Sequence, residues 1–509
     1  MRIKACRLTR SLPGWGDGAL AIVDQFVRSQ ERDQPIRLST KLFQGLGIIP
    51  VSLKELAFNT FLLLYYNQVL GLSASYASLA LLIALIVDAL SDPIVGSFSD
   101  NFRHRLGRRH SLMYAASVPF AVCIYLLFSP PSAVADYLPV WLLLFALGTR
   151  LSFTFFAVPW NAMFAELSDD YKERSELISY RFAVGWIVGI VFVFSIYSFI
   201  FVASETYPQG QLNPAHYQTF ALVLSLTVFA GAFLTTHLTR DQIPYLRQPP
   251  ASLRRFSLPV LWEELGLAVK NRNFRVLIFA VLASAVVSGT NQALQIYMNT
   301  YFWDFSGEQL RWTAVAVLGG LLAFFTVLPL QNLLDKKYLL VTCAISIMVV
   351  TMVPVTLRLL ELAPANGTPG LVVMIVTAAT ISAYFATIAL IMFTSMVADT
   401  LDVQEYETGL RQEGLFNSVM TFASKATTGA GILIAGLIID HVIGLPQGAA
   451  RAQITPEMIL RVGIVDAYVV PLFNVVWLSL VLQYSITRDE HTQIQKVLSR
   501  RRMPDSLNS

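Results

Sequence analysis

The sequence predicts an all-α membrane protein whose twelve transmembrane helices form two pseudo-symmetric six-helix bundles. Of its 509 residues, 55% are hydrophobic and 14% are charged, whereas soluble proteins carry roughly 25% charged residues. The mean hydropathy is +0.57. A soluble core of this chain length cannot bury so much apolar surface. The composition therefore excludes an ordinary soluble enzyme and a disordered chain.

Two further counts exclude other classes of protein. The net charge of +4, from 37 basic and 33 acidic residues, is too balanced for a nucleic-acid-binding protein. Cys6, Cys123 and Cys343 have neither paired nor metal-like spacing, so we expect no disulfide framework and no zinc site.

Twelve apolar segments reach the ~20 residues that a transmembrane helix needs. They lie at residues 42–70, 74–97, 110–129, 138–163, 178–203, 216–239, 274–303, 310–334, 338–360, 370–398, 414–444 and 462–487. Residues 1–40 are polar apart from one short apolar stretch, and this pattern is not typical of a signal peptide.

The distribution of basic residues predicts how the chain is oriented. Most lie before residue 42, in the loops after even-numbered segments, and in the run Arg500 to Arg502. By the positive-inside rule both termini are then cytoplasmic, in a plasma (inner) membrane. An even number of helices independently requires both termini on one side.

The chain also divides into two related halves. The polar connector at 240–275 separates six apolar segments from six, and Ala165-Glu166-x-x-Asp169 recurs 233 residues later as Ala398-Asp399-x-x-Asp402. The predicted parts are a tail at 1–41, a six-helix bundle at 42–240, a central loop at 241–273, a second bundle at 274–487 and a tail at 488–509. Repeated halves of this kind place a substrate site at mid-membrane between them.

The few ionisable residues at membrane depth are the next signal, because each costs a few kcal/mol or more there. Asp88 and Asp92 are four residues apart, which stacks their carboxylates on one helix face about 6 Å apart; Ser91 nearly shares that face. Paired carboxylates in low dielectric need a cation or a shared proton, and oxygen ligands suit a hard ion such as Na⁺. We predict a cation site; a structural salt bridge is the alternative.

Three more residues bear on this site. Arg150 and Thr154 in the fourth segment lie at the depths of Asp88 and Asp92, since the second and fourth helices run in the same direction. Arg150 can therefore pair with Asp88, and Thr154 can add an oxygen beside Asp92. Lys425 comes from the eleventh segment, in the opposite half, and can reach the carboxylates or the substrate; snorkelling is its alternative.

Other polar residues at depth are candidate substrate contacts. Asn291 and Gln295 share a polar face of the seventh segment, which suits either a hydroxyl-rich ligand or hydrogen bonds between helices. Lys54 and Glu55 are adjacent, so they point in different directions and one can line the cavity. Trp160 follows Pro159 and can stack on a sugar ring or lie at the membrane interface.

Charged residues occupy matching loops of the two halves at the predicted cytoplasmic face. They are Asp100, Arg108 and Arg109 between segments two and three, and Asp399, Asp402 and Arg411 between segments ten and eleven. As a set, opposed acidic and basic loops predict a cytoplasmic gate. For individual residues, a solvated charge is the alternative.

Several motifs fall in both halves in a fixed order. They are Val87 to Gly96, Gly107-Arg108-Arg109, Pro159-Trp160-Asn161-Ala162, Tyr180-Arg181-Phe182 and Met396-Val397-Ala398-Asp399-Thr400-x-Asp402. In these motifs, and over about residues 41–487, the chain resembles the glycoside–pentoside–hexuronide:cation symporters, the melibiose-carrier branch of the major facilitator superfamily. The resemblance implies the major facilitator fold and symport of a sugar with a cation by alternating access.

The resemblance also implies roles for single residues. Asp88, Ser91, Asp92 and Thr154 match the positions that bind Na⁺, Li⁺ or H⁺ in that family. Lys425 matches its helix-eleven lysine, and Arg181 matches the helix-five arginine near the sugar.

Other positions depart from the family pattern. Ser52 and Ala157 stand where the melibiose carrier has aspartates that hold galactosyl hydroxyls, and Arg150 replaces a small residue. Animal lysophospholipid importers of the same superfamily also keep the helix-two acids. A carrier of a lysolipid or another non-sugar amphiphile, coupled to Na⁺ or H⁺, is therefore the alternative function.

The sequence gives no sign of enzymatic chemistry. It contains no His-Glu-x-x-His motif and no Gly-x-Ser-x-Gly elbow. We expect no cofactor and no metal beyond a Na⁺, with Na⁺ or H⁺ as the coupling ion. The expected partners are a small-molecule substrate and the lipid bilayer, with no nucleic acid, and we expect a monomer.

Overall fold

The computed structural model describes residues 34–168, 170–246, 272–408, 413–448 and 453–502. Within these ranges every regular element is a helix. Most of the predicted N-terminal tail and of the central loop lies outside the described residues.

The helices follow the predicted segments in order. The first half contains α1 (Leu38–Val69), α2 (Ala74–Asn101), α3 (His110–Phe128), α4 (Ser132–Leu167), α5 (Lys172–Ile200) and α6 (Pro214–Leu238). The second half contains α7 (Arg272–Phe302), α8 (Gly307–Leu333), α9 (Lys336–Leu359), α10 (Pro369–Thr408), α11 (Glu413–Leu437, extended by a widened turn at Ile438–Ile443) and α12 (Pro456–Leu482). Helix α13 (Arg488–Arg502) follows, within the predicted C-terminal tail.

Eleven of these helices are long and apolar enough to cross a membrane. In α11 the apolar stretch is shorter, Thr427–Ile443, because it begins only after Lys425. With α11 as the twelfth helix, the predicted all-α fold in two six-helix halves is confirmed.

Two boundaries correct the sequence prediction. Helix α10 continues to Thr408 instead of ending near residue 398, so Asp399 and Asp402 lie on a helix and not in a loop. Helix α2 likewise runs to Asn101 and includes Asp100. Acidic residues do not end a helix by themselves; glycine or proline does, and the next glycine after α10 begins is Gly370 at its start and then Gly409.

Successive helices alternate in direction, which gives the molecule two faces. The terminal face holds the starts of α1 and α7 and the ends of α6 and α12. The far face holds the loops that follow odd-numbered helices. At the terminal face α13 packs against the end of α10, where Val403, Ile494 and Leu498 bury one another.

The buried apolar residues form two large clusters of different extent. One fills the first half and continues into the second half near the far face, where it includes Tyr297 and Phe305. The other is confined to the terminal side of the second half, around Leu277 and Met392. The halves therefore share a core at the far face and have separate cores at the terminal face.

Polar contacts between the halves have the same asymmetry. At the far face Tyr297 Oη donates to Asn67 Oδ1 at 3.1 Å, and Tyr301 Oη donates to Gln68 Oε1 at 2.8 Å. Among the hydrogen bonds and ion pairs that join described residues across the halves, those of Lys425 lie nearest the terminal face. The structure is thus closed at the far face.

Candidate functional site

Asp88 and Asp92 lie inside α2, ~21 and ~27 Å along the helix from Ala74 at 1.5 Å per residue. Asp88 is only 1% exposed, and the side chain of Asp92 is 27% exposed. Pro93 follows directly; because proline has no N–H, the carbonyl of Ala89 has no helical partner. The two carboxylates therefore sit beside a freed backbone oxygen.

Thr154 of α4 joins the two carboxylates. Its Oγ1 lies 3.0 Å from Asp88 Oδ1 and 3.2 Å from Asp92 Oδ1. A hydroxyl carries one proton, so Thr154 donates to one carboxylate at a time and offers its lone pairs beside the other. Ser91 differs, because its Oγ donates to the backbone carbonyl of Asp88 at 2.9 Å.

Arg150 pairs with Asp88 as the helix depths predict. Its Nη1 lies 3.2 Å from Asp88 Oδ2, and the residue is 2% exposed. The guanidinium carbon lies 4.7 Å from the centre of the Phe58 ring, a distance that allows a cation–π contact. A permanent positive charge is therefore buried against the more buried of the two acids.

Lys425 reaches the same acids from the opposite half. Its Nζ lies 2.5 Å from Asp92 Oδ2 and 3.1 Å from Asp88 Oδ2. The ammonium group bridges both carboxylates, and its side chain keeps 28% exposure. The ion pair is also a link between α2 and α11.

A second ion pair lies next to this cluster. Lys54 Nζ is 2.5 Å from Glu55 Oε1 and 4.0 Å from the centre of the Phe153 ring. Lys54 is 1% exposed, whereas the Glu55 side chain is 47% exposed. Lys54 and Arg150 both face the ring of Phe58, so the two ion pairs are neighbours.

The charges of this mid-depth group balance. Three are basic and three are acidic: Lys54, Arg150, Lys425, Glu55, Asp88 and Asp92. The acids of α2 and Thr154 form an all-oxygen set that suits a hard monovalent cation. With Lys425 bridging the acids, an added cation would make the group net positive. Lys425 and such a cation therefore compete for the same carboxylates.

Trp160 is placed in the first half's core. It is 1% exposed, and its Nε1 donates to the Gln44 carbonyl at 3.0 Å. Gly47 makes room for the ring, since a Cβ there would lie 2.1 Å from Trp160 Nε1. Arg181 covers one face of the indole, 3.8 Å from the ring centre. In this conformation the exposed group is the arginine and not the indole.

Arg181 itself is held from two sides. Besides the Trp160 ring, its Nη2 donates to Asn161 Oδ1 at 2.7 Å. No acidic group of the described residues pairs with it. The guanidinium is thus positioned by an aromatic face and an amide, with its charge available to a ligand.

The polar face of α7 is only partly turned as predicted. Asn291 is half-buried and Gln295 is exposed, and neither side chain bonds to another described residue. Gln292 instead lines a narrow crevice between the halves with Asn59 of α1 and Thr428 of α11. The crevice brings three uncharged polar groups together at mid-depth.

At the terminal face, the predicted gate residues of the first half pair within that half. Arg109 Nη2 lies 2.6 Å from Asp100 Oδ1 and 2.7 Å from Glu166 Oε1. Arg108 Nη2 also lies 2.7 Å from Glu166 Oε1. Burial lowers the pKa of the Arg108 guanidinium, and the charges of Glu166 and Asp100 oppose that shift.

The second half has an equivalent cluster on α9 and α10. Lys336 Nζ lies 2.6 Å from Asp399 Oδ2. His491 of α13 places Nε2 3.0 Å from Asp402 Oδ2 and 3.4 Å from Asp399 Oδ1. Arg411 lies outside the described residues. These described gate residues therefore pair inside their own halves.

Two members of these clusters were not among the predicted site residues. Glu166 corresponds to Asp399 in the repeated motif, so the repeat that linked the halves contained the signal. His491 lies in the segment predicted as a tail, and no pattern in the sequence indicates its contact with α10.

Comparison with known proteins agrees with this architecture. The family model described as "MFS/sugar transport protein" matches residues 43–488. A symporter of Synechocystis sp. is 24% identical over 93% of this chain and 99% of its own length. The isoprimeverose transporter of Lactiplantibacillus pentosus is 22% identical over 78% of each chain.

Two further matches extend the range of relatives. A sodium-dependent lysophosphatidylcholine symporter of Danio rerio is 31% identical, but over only 32% of each chain. The crystal structure of a D-xylose–proton symporter superposes with a TM-score of 0.54, at 13% identity, over 88% of this chain and 97% of that one. At that identity the structural match concerns the fold alone.

Proposed function

The chain belongs to the MFS/sugar transport protein family, a family of transporters and not enzymes, and on this premise we propose that it is a secondary active carrier that imports a sugar or glycoside with a cation. The observation that supports the proposal best is the group formed by Asp88, Asp92 and Thr154. It offers oxygen ligands from the first half, and Lys425 of the second half contacts the same carboxylates.

The orientation follows from the basic residues. Arg103, Arg105, Arg108 and Arg109 are in the loop after α2, and the run from Arg500 ends the chain, so the terminal face is the cytoplasmic one by the positive-inside rule. Because the halves are closed at the far face, the described conformation then faces the cytoplasm. This is the state from which substrate and ion are released.

The charge balance suggests how the ion enters the cycle. When the far face opens, the halves rotate and Lys425 withdraws, which leaves Asp92 without a cation partner. A Na⁺ or a proton then neutralises the carboxylate. When the ion is released to the cytoplasm, Lys425 returns and permits the empty carrier to reset. Ion and lysine thus alternate at one site.

Coupling to the substrate is a matter of linkage. If the ion raises the affinity for the substrate, the substrate must raise the affinity for the ion by the same factor. We assign the substrate to the space between the halves near Arg181, with Lys54, Lys425, Asn291 and Gln295 as the further polar contacts.

Trp160 belongs to the same proposed substrate site in a more indirect role. Because Arg181 lies on the Trp160 ring, the indole positions the arginine for the substrate. A hydroxyl-rich ligand is consistent with these donors and acceptors, which lie on several helices of both halves.

One observation favours a second candidate substrate. The match to the lysophosphatidylcholine symporter has the highest identity of those given above, although it covers a third of the chain. A lysolipid would use Arg181 for its phosphate and leave its acyl chain against apolar helix faces.

The test is uptake into vesicles that contain the purified protein, with labelled glycosides, pentosides, uronides and lysophosphatidylcholine, under Na⁺ and pH gradients in turn. We expect ion-driven accumulation of a sugar, and Asp92→Asn is expected to abolish that accumulation while exchange remains. Asp489→Asn, an exposed acid of α13, serves as the matched control. Unchanged uphill uptake in the Asp92→Asn variant would contradict the cation assignment, and uptake of lysolipid alone would favour the second candidate.

A further inference from the structure

Helices α2 and α11 form a continuous seam between the halves. Lys425 meets Asp92 near one end of this seam. Farther along, Gly436 touches α2 closely, because a Cβ at that position would lie 2.1 Å from Ser78 Oγ and 2.5 Å from the Ala74 carbonyl. Small residues of this kind let two membrane helices approach.

Asp440 lies at the far-face end of the seam and binds the first turn of α2. Its Oδ2 accepts hydrogen bonds from Ser73 Oγ at 2.6 Å and from the Ser75 N–H at 2.8 Å. Its Oδ1 accepts from the Ala74 N–H at 3.2 Å. All three donors belong to the first half, whereas Asp440 belongs to the second.

These bonds make Asp440 a helix cap supplied by the other half. The first N–H groups of a helix have no partner within the helix, and the side chain of Ser73, at the usual capping position, caps nothing in its own helix. A carboxylate at this position also interacts favourably with the helix dipole. The cap of α2 therefore exists only while the halves touch at the far face.

We propose that Asp440 is a positioning residue of the transport cycle, which holds the far face closed by capping α2 from the opposite half. This rests on the proposed function, because it needs a carrier that alternates between two open faces. Since Lys425 and Asp440 lie on one helix and contact one partner helix, an ion reaches Asp88 and Asp92 from the far side only after Asp440 has released α2.

The strength of the contact suits a gate. Losing a cap of this kind changes a two-state equilibrium by a factor of roughly 5–30. In the far-open state water can satisfy both Asp440 and the first N–H groups of α2, so the contact breaks reversibly. A buried ion pair at the same place would be far harder to open.

The experiment measures opening of the far face directly. Thr300 is 1% exposed at the far-face contact with Gln211, so Thr300→Cys reports on closure in a chain whose three native cysteines are replaced by serine. A membrane-impermeant maleimide is added to vesicles with the far face outward. We expect Asp440→Ala to raise the labelling rate roughly 5–30-fold and Asp440→Asn to raise it less, since an amide oxygen still accepts hydrogen bonds.

The control is Glu457→Gln, an exposed acid near the far face that pairs with Arg461 in its own half; its labelling rate should equal that of the parent. Labelling of Asp440→Ala at the parent rate would overturn the proposal. If that variant does not fold, Asp440→Asn decides: faster labelling than the parent supports the proposal, and an equal or slower rate overturns it. Labelling needs no substrate, so a failure of sugar uptake would count against the proposed function alone.

Discussion

The two halves contribute very unequally to the charges at mid-depth. The first half supplies Glu55, Asp88 and Asp92 with two of their basic partners, Lys54 and Arg150, whereas the second supplies Lys425 alone. The first half therefore keeps its ion pairs whichever way the halves are turned. The second half adds one charge that can be withdrawn.

The terminal face repeats this difference. In the first half Arg108, Arg109 and Glu166 are all buried, and their bonds fix the ends of α2, α3 and α4 together. In the second half Lys336 has 33% side-chain exposure and a histidine from α13 completes the cluster. Buried ion pairs make the first half a rigid body, and exposed ones leave the second half adjustable.

Replacing Arg150 with glutamine should break this comparison most strongly. Removing one partner of a buried ion pair costs about 3–5 kcal/mol, because Asp88 remains buried. We also expect stabilisation by Na⁺ to grow in this variant, since an ion can replace the lost charge. Thermal unfolding in detergent with sodium or choline chloride measures both effects. Arg461→Gln, in an exposed pair, is the control; an unchanged sodium response in Arg150→Gln would contradict the role of Arg150.

The terminal-face clusters give a smaller and directly comparative effect. Arg109→Gln should lower the free energy of unfolding by about 2–3 kcal/mol, because buried hydrogen bonds to charged groups are lost. Lys336→Gln should cost about 1 kcal/mol or less, since its ion pair is partly exposed. Thermal unfolding of the two variants side by side checks the difference. Equal losses would mean that the two halves are equally rigid here.

The smallest effect is expected for Lys425→Gln, whose side chain is partly exposed. Loss of the bridge to Asp92 should shift the equilibrium away from the far-closed state by a factor of roughly 5–30. It should also lower the Na⁺ concentration that half-activates transport, because no ammonium competes with the ion. The sodium dependence of uptake and far-face labelling measure these changes, with the exposed Lys496→Gln as control. A higher sodium requirement would refute competition between ion and lysine.

Sequence reasoning predicted depth well and rotation poorly. The Arg150–Asp88 pair followed from counting residues along helices of the same direction, since the rise per residue is fixed. The crevice residue Gln292 and the buried ring of Trp160 did not follow, because the rotation of a helix about its axis depends on what packs against it. For Trp160 the deciding neighbour was Gly47, more than a hundred residues away in the chain.

Ends of helices were the other source of error. Asp399 and Asp402 were predicted in a loop, because charge was taken as the end of a span, yet helix α10 continues past both. Asp440 lies in the last turn of an apolar segment and was not counted among the deep charges. Its significance depends on the first turn of α2, which only the three-dimensional structure brings within reach.

The length of α10 has a practical consequence. Its 40 residues span ~60 Å at 1.5 Å per residue, about twice the hydrocarbon thickness, and α13 is fastened to the protruding end. A spectroscopic label on α13, for instance at the exposed Gln495, therefore moves as a rigid pointer with the whole second half. Paired with a label at Arg105 in the first half, it turns the rocking of the carrier into an interspin distance.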